Sequence, residues 1–310
     1  MITMRPSAAL ALTGLALLAI AGCGGTTTVP ASAASSAPVP ASTAPVPAST
    51  APVPASAAPW PVTRLHYAPN SNYGQSGEYL PGADGFNLAD IDVHSKSQLD
   101  SLPAGLRGLV YIGTCGGATA SFRSAVDAFA GDPRLFGFYV MDEPLPWHCP
   151  AANLLAENNW IHAHVPGAQT FAILENLGPQ IAPTYDGSYT PGDSGLDLVG
   201  IDPYPVRSKV SSPDFGEIGR YVRAAEAHGW PRTSIVPVYQ TFGGGGYSNW
   251  ALPSAAQERQ MLAAWAAVIP TPKFDYAYSW GSQRGDRALS QSPGLKAVFA
   301  AKNAKAPPSP

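Results

Sequence analysis

Leu135-Phe136-Gly137-Phe138-Tyr139-Val140-Met141-Asp142-Glu143-Pro144 is the stretch on which the fold turns. Seven residues without a charge match a strand buried on both faces, the pattern of a parallel sheet covered by helices, since a half-exposed strand would alternate. Asp142 and Glu143 then stand at the strand exit, where parallel α/β proteins keep acids, bases and nucleophiles. The other use of two acids there is to cap a following helix.

Similar apolar runs lie at 107–113, 169–174, 196–201, 234–239 and 274–280, and two weaker ones precede all of these at 62–67 and 86–91. Amphipathic segments separate several of them. Ser254 and Gln257 form a capping-box pattern before the stripe Met261, Leu262, Trp265, Val268 and Ile269. Phe215, Ile218, Val222 and Ala225 make another stripe, stopped by Gly229. Eight runs over about 240 residues predict a single eight-stranded α/β barrel spanning 60–303. The segment 68–85 shows no helical period, which leaves the numbering of strands before residue 107 open. An open doubly wound sheet is the alternative, but no strand leads into a Gly-x-Gly-x-x-Gly turn, and glycines 243–246 lack the lysine of a phosphate loop.

The amino-terminal region reads differently. Arg5 precedes the apolar stretch 8–21 and the small residues Ala21-Gly22 before Cys23, so 1–22 is expected to be a signal peptide. Residues 24–59 are Ala, Pro, Ser and Thr rich, and Ala-Pro-Val-Pro-Ala-Ser-Thr recurs from Ala37 and Ala44 and, ending in Ala57, from Ala51. With alternating proline and no large apolar side chains, this segment is expected to be a disordered tether reaching up to roughly 100 Å. Residues 304–310 read as a disordered tail. A net charge of -3 with scattered basic residues argues against a nucleic-acid partner.

Ile20-Ala21-Gly22-Cys23 resembles the lipobox of bacterial lipoproteins, which implies that Cys23 is lipidated and that the chain is held at the outer face of the cell membrane by that anchor alone. An ordinary secretory cleavage site is the alternative. The strand ending in Asp142-Glu143-Pro144, the later Gly200-Ile201-Asp202-Pro203-Tyr204-Pro205 and the final Tyr276-Ala277-Tyr278-Ser279-Trp280 resemble TIM-barrel glycoside hydrolases. The resemblance implies hydrolysis of O-glycosidic bonds in a poly- or oligosaccharide, with Glu143 as general acid/base. Two positions depart from the family pattern. Asp142 replaces the asparagine before the acid, and Gln240 stands where the family's nucleophile would be. The second carboxylate is therefore sought at Asp202 or Glu175, each at another strand exit and each equally readable as a turn or loop residue. A non-catalytic carbohydrate- or wall-binding barrel is the alternative function, and a transporter's solute-binding lipoprotein is disfavoured by the single barrel.

Trp280, Tyr204, Tyr239, Gln240 and Trp147 are the expected sugar-binding residues, since flat rings at strand exits stack on pyranose faces. Cys115 and Cys149 follow runs expected to be neighbours, so an oxidising compartment would pair them in a disulfide; two free buried cysteines are the alternative. No cofactor is expected. No metal is expected either: His162 and His164 point about 200° apart on a helix, and His148-Cys149 lacks supporting ligand spacing. The chain is expected to act as a monomer.

Overall fold

A computed structural model describes residues 60–305. The segments expected to be a signal peptide and a tether, with Cys23 between them, and residues 306–310 of the expected tail lie outside the described residues.

Eight parallel strands close a barrel in chain order. They are β1 (His66–Tyr67), β2 (Leu88–Asp92), β3 (Arg107–Tyr111), β4 (Leu135–Asp142), β5 (Gln169–Ile173), β6 (Leu198–Ile201), β7 (Ile235–Gln240) and β8 (Asp275–Tyr278). The helices are α1 (Lys96–Asp100), α2 (Ala120–Asp127), α3 (Ala151–His164), α4 (Pro191–Ser194), α5 (Gly216–Ala227), α6 (Ala255–Val268) and α7 (Pro293–Asn303). The expected (β/α)8 architecture is therefore the observed one, with both weak early runs serving as strands. Between β1 and β2 there is only a 3-10 turn, Leu80–Asp84, in keeping with the missing helical period. The Ser254–Gln257 capping box opens α6.

Two apolar layers divide the strand side chains. Leu88, Leu109, Phe136, Phe171, Leu198, Val236 and Phe274 fill the lumen. Ala89, Ile91, Val110, Phe138, Val199 and Ala277 face outward into the layer shared with the helices. The strands are buried on both sides, and this is why they read as continuous apolar runs.

The long strand β4 is irregular in a way that matters for its exit. Its register slips against β3 between Gly108 and Leu109 and against β5 between Tyr139 and Met141. At Gly137 an added Cβ would stand 2.0 Å from the Gln169 carbonyl oxygen, so only glycine fits this close approach. Bulges of this kind re-aim the side chains that follow.

A disulfide joins Cys115 and Cys149, with Cα atoms 5.4 Å apart, across the loops that leave β3 and β4. It closes a loop with a sequence separation of 34, for which chain entropy gives about 4 kcal/mol of stabilisation. Urea denaturation with and without reductant is expected to show a loss of that order; an unchanged midpoint would mean that the bridge constrains nothing in the unfolded chain.

Candidate active site

The exit of β4 is built from backbone strain and tyrosine hydroxyls. Asp142 ends the strand facing the lumen, and its Oδ1 accepts a 2.5 Å hydrogen bond from Tyr139. Glu143 follows with φ of 44° while its amide donates to the Ile173 carbonyl at 3.1 Å. A left-handed backbone costs a side-chain-bearing residue about 1–2 kcal/mol, and such strain concentrates at functional positions. Neither acid caps a helix, because α3 begins only at Ala151 with Pro150 as its cap.

The four acids expected at strand exits converge. Asp142, Glu143, Glu175 and Asp202 are all half-buried, enclosed by protein but open to solvent through the mouth. Glu143 and Asp202 are hydrogen-bonded to each other, so the two carboxyls share a proton. Burial, with Asp142 and Glu175 adding like charge, pushes the Glu143 carboxyl up to about 8. Burial followed by the charges of Glu143 and Asp142 raises Asp202 well above the usual carboxylate range. Asp142 is raised by burial, against the pull of its Tyr139 bond, and Glu175 is raised by burial. The loop after Glu175 is organised by Asn176, whose side chain bonds Gly178, Thr184 and the Tyr221 hydroxyl.

Direct contact between Glu143 and Asp202 has a chemical consequence. Carboxyls flanking a glycosidic bond stand about 5 Å apart for retention or about 6.5–9.5 Å apart for inversion, and a hydrogen-bonded pair is closer than either. As placed, Asp202 is a proton-sharing partner of Glu143 rather than a group on the far side of a bound sugar.

A fifth carboxyl, missed in the sequence, completes the mouth. Asp90 of β2 is half-buried; its Oδ1 accepts from the Tyr67 hydroxyl at 2.9 Å and its carboxylate also accepts from the Asn70 amide. Burial raises it to about 6. The alternation Leu88-Ala89-Asp90-Ile91-Asp92 carried the signal, since apolar Ala89 and Ile91 face the helices and Asp90 the lumen. Tyrosines line the same space. Tyr276 feels the charges of Asp142, Asp90 and Asp202, and Tyr111 those of Asp142 and Asp90.

Of the expected sugar-binding residues, Tyr204 lies in the mouth, with its ring 4.9 Å from Phe242 and stacked on Tyr278 at 6.1 Å. Trp147 is 71% exposed on the disulfide-bridged loop after β4. Three expectations are corrected. Tyr239 is fully buried and points outward, its ring 6.4 Å from Trp265 and 5.9 Å from Phe299, because its place in β7 alternates with the inward Val236 and Val238. Trp280 lies beyond the end of β8 and is buried against Phe86 and Lys296, with no face left for a ligand. Gln240 does aim inward, but its side chain is consumed by the backbone: Oε1 accepts from the Val206 amide at 2.9 Å, and Nε2 donates to the carbonyls of Val206 at 2.8 Å and Ala251 at 3.0 Å. It latches the loops after β6 and β7. Three of the amides in 243–246 are likewise engaged, Gly243 with Arg287, Gly244 with Trp250 and Gly246 with Arg284, so this segment is no phosphate cradle.

The latch makes a prediction about the vacant nucleophile position. Gln240→Glu would set a carboxylate against carbonyl oxygens that now accept from an amide. A loss of at least about 3 kcal/mol is expected, with no gain of activity. Chemical denaturation checks the first part, and turnover with an activated glycoside checks the second.

No family model matches the chain, and no curated protein matches it. Among solved structures, a Bacteroides thetaiotaomicron VPI-5482 protein that carries an unproven alpha-L-fucosidase assignment is 12% identical over 84% of this chain and 97% of its own, with a TM-score of 0.50. A glucosidase from Croceicoccus marinus is 9% identical over 78% of this chain and 68% of its own, at a TM-score of 0.48. QR15, an aldolase, is 9% identical over 78% and 95%, at 0.44. Identities this low establish the fold alone.

Proposed function

We propose that this chain is a glycoside hydrolase that cleaves O-glycosidic bonds in a poly- or oligosaccharide, with Glu143 as the general acid. The observation that carries this reading is the half-buried Glu143–Asp202 pair at the mouth, where a carboxyl pushed up to about 8 keeps its proton at neutral pH. A glycosidic oxygen is a poor leaving group until it is protonated, and a carboxylic acid of raised pKa supplies that proton. Burial and the charges of Asp142 and Glu175 hold the acid in its protonated form against the opposing pull of its Asp202 bond, while Tyr204 and the exposed Trp147 offer rings to the sugar. Hydrolases on the same barrel support the reading without establishing it.

Lipidation of Cys23 and an extracytoplasmic location, with the monomeric barrel carried on the Pro-rich tether, belong to the same proposal; the Cys115–Cys149 disulfide supports an oxidising compartment. A non-catalytic glycan-binding barrel is the second reading. The locked amide of Gln240 at the seventh strand exit favours it. Reducing-sugar release from a panel of neutral polysaccharides by the purified protein separates the two. Release that disappears in Glu143→Gln establishes the hydrolase, and binding without turnover in both proteins establishes the binding barrel.

A further inference from the structure

We propose that the cleft between the loops after β5 and β6 is a second sugar-binding site, which holds a neutral sugar unit of a chain whose neighbouring units lie in the mouth. For its kinetic consequence this rests on the hydrolase reading, and it deepens that reading: the substrate is a chain long enough to reach from the mouth into the cleft.

The cleft has a volume of about 420 Å³, within the range of about 300–1,000 Å³ of small-molecule sites. Its walls are the loops that leave β5 and β6, so it opens on the face where the barrel strands end. Pro205 lines it and follows Asp202 by three residues, a reach of at most about 11 Å of extended chain. Asp202 is bonded to Glu143, and Tyr204, the residue before Pro205, is bonded to Asp202. One short stretch of chain thus joins the acid pair to the cleft wall.

The lining matches a neutral sugar. Pro179, Ile181, Pro205 and Val210 present apolar surface. Arg207, Arg220, Asp214 and Glu217 are the charged groups, two of each sign, and their formal charges cancel, so the cleft selects neither an anion nor a cation. A pyranose has apolar C–H faces and hydroxyl edges and meets both parts of such a wall. Arg207 spends Nη2 on the two Glu217 oxygens, at 3.1 and 3.0 Å, and its Nε and Nη1 have no partner among the described residues, which leaves donors for hydroxyls.

Exposure points to the same loops. Of the five exposed large apolar side chains among the described residues, Leu177 and Ile181 stand on the loop after β5, Val210 on the loop after β6 and Trp147 on the loop after β4. These loops are consecutive around the mouth. Ile181 is 79% exposed and Val210 47%, both on the cleft wall. Solvated apolar groups gathered on three successive loops beside an acid pair mark a binding track, where scattered ones would mark nothing.

The walls are fixed before any ligand arrives. Asn176 ties Gly178 and Thr184 together within the loop after β5 and reaches the Tyr221 hydroxyl on α5. Arg220 of α5 donates from Nε to the Gln180 carbonyl at 2.9 Å and from Nη2 to Asp214 at 2.6 Å. On the other wall Gln240 holds Val206, and Ser208 donates to the Ser248 carbonyl at 2.6 Å. Ordered walls lose little freedom on taking a ligand.

The test uses neutral gluco-, manno- and xylo-oligosaccharides from disaccharide to hexasaccharide, with the double variant Ile181→Ala, Val210→Ala, whose exposed side chains leave the core intact. In the wild-type protein kcat/KM should climb with chain length and level off once the cleft is filled. The ratio of kcat/KM on the hexasaccharide to that on the disaccharide should fall by about 10–100-fold in the variant, mostly through KM, because the apolar wall is lost. A ratio within about threefold of wild type overturns the site, and so does an equal fall at every length, which would mean that the loops act only through the mouth. Tighter binding of acidic oligogalacturonides than of neutral chains overturns the neutral assignment. A wild-type dimer in sedimentation that the variant breaks, with the ratio unmoved, would give the apolar loops to a second copy of the chain and overturn it too. If no chain is hydrolysed, the hydrolase reading fails by itself, and calorimetric affinity for the same oligosaccharides replaces kcat/KM. The same 10–100-fold loss in the variant then keeps the cleft as a site of a glycan-binding barrel, and an unchanged affinity removes it.

Discussion

Glu143→Gln is expected to lower kcat by about 10²–10⁴-fold and, at the same time, to make the protein more stable at pH 8. Both effects follow from one carboxyl. As the acid, Glu143 must carry a proton that glutamine cannot give. As a half-buried group beside Asp142, Glu175 and Asp202, it resists ionisation, and its pKa of about 8 lies above the ordinary 4.5. A carboxyl raised in the folded state contributes stability that is fully present below its unfolded pKa and lost as pH rises through the folded value. The loss therefore develops between about pH 4.5 and 8 and reaches about 2–4 kcal/mol, allowing for the solvent that enters the mouth. Asp90, raised to about 6, and Glu157, raised to about 7 by burial, slope the same way over part of that range. Glutamine is neutral throughout and can still bond Asp202. Melting temperatures at pH 5, 6, 7 and 8 should coincide for the two proteins at the acid end and diverge in favour of the variant at pH 8. A variant that melts lower at pH 8 would show that the mouth does not hold Glu143 at an energetic cost.

Such a trade of stability for a poised acid is common at active sites, and it explains which parts of this one were legible in sequence. The run into Asp142-Glu143 announced a two-faced buried strand because every residue from Leu135 to Val140 is indeed buried. Asp202 and Glu175 were legible for the same reason, as the first charges after buried strands. Asp90 was not, because β2 is short and its two acids made it look like a weak run, although the period of two was present. The aromatic expectations failed where that period was set aside. Tyr276 and Tyr278 share the inward phase of β8, whereas Tyr239 has the outward phase of β7 and packs against helices. Trp280 keeps the inward phase on paper, but the strand stops at Tyr278 and the Trp280 amide turns to the Pro69 carbonyl. Gln240 has the right phase and the wrong freedom. Its amide makes four hydrogen bonds, one accepted at Oε1 and three from Nε2, to loops whose positions no local pattern encodes.

Lys302→Ala should be the most damaging single substitution outside the mouth, at about 3–5 kcal/mol. The barrel closes where β8 meets β1, a strand of only 2 residues, and one of the two pairs in register at that seam is His66 and Asp275. Their side chains bond each other at 2.9 Å, and Lys302 reaches in from α7 to bond Asp275, with its Nζ 3.3 Å from His66 Nδ1. All three are at least 98% buried. Burial opposes the charge of Asp275, but Lys302 and His66 beside it outweigh that and hold its carboxyl below the usual range. Alanine at 302 strands this carboxylate without its strongest partner and also withdraws the cation nearest Glu258, whose two oxygens have no hydrogen-bond partner among the described residues. For a fold whose total stability is about 5–15 kcal/mol, that is a large fraction. Lys302→Met combined with Asp275→Asn should recover much of it, since the cost lies in the stranded charge and not in the missing volume. The pH dependence separates this from the mouth. A depressed carboxylate contributes stability that is present above its unfolded pKa and lost as pH falls, so the double variant should lose part of the acid-side decline below about pH 4 while keeping the slope between pH 5 and 8. Activity should fall with Lys302→Ala as well, because Tyr67 and Tyr276 stand on the two strands of this seam and Tyr67 holds Asp90. Urea denaturation of the single and double variants decides the matter: equal losses in both would mean that α7 pins the seam by packing, and that the buried charges add nothing.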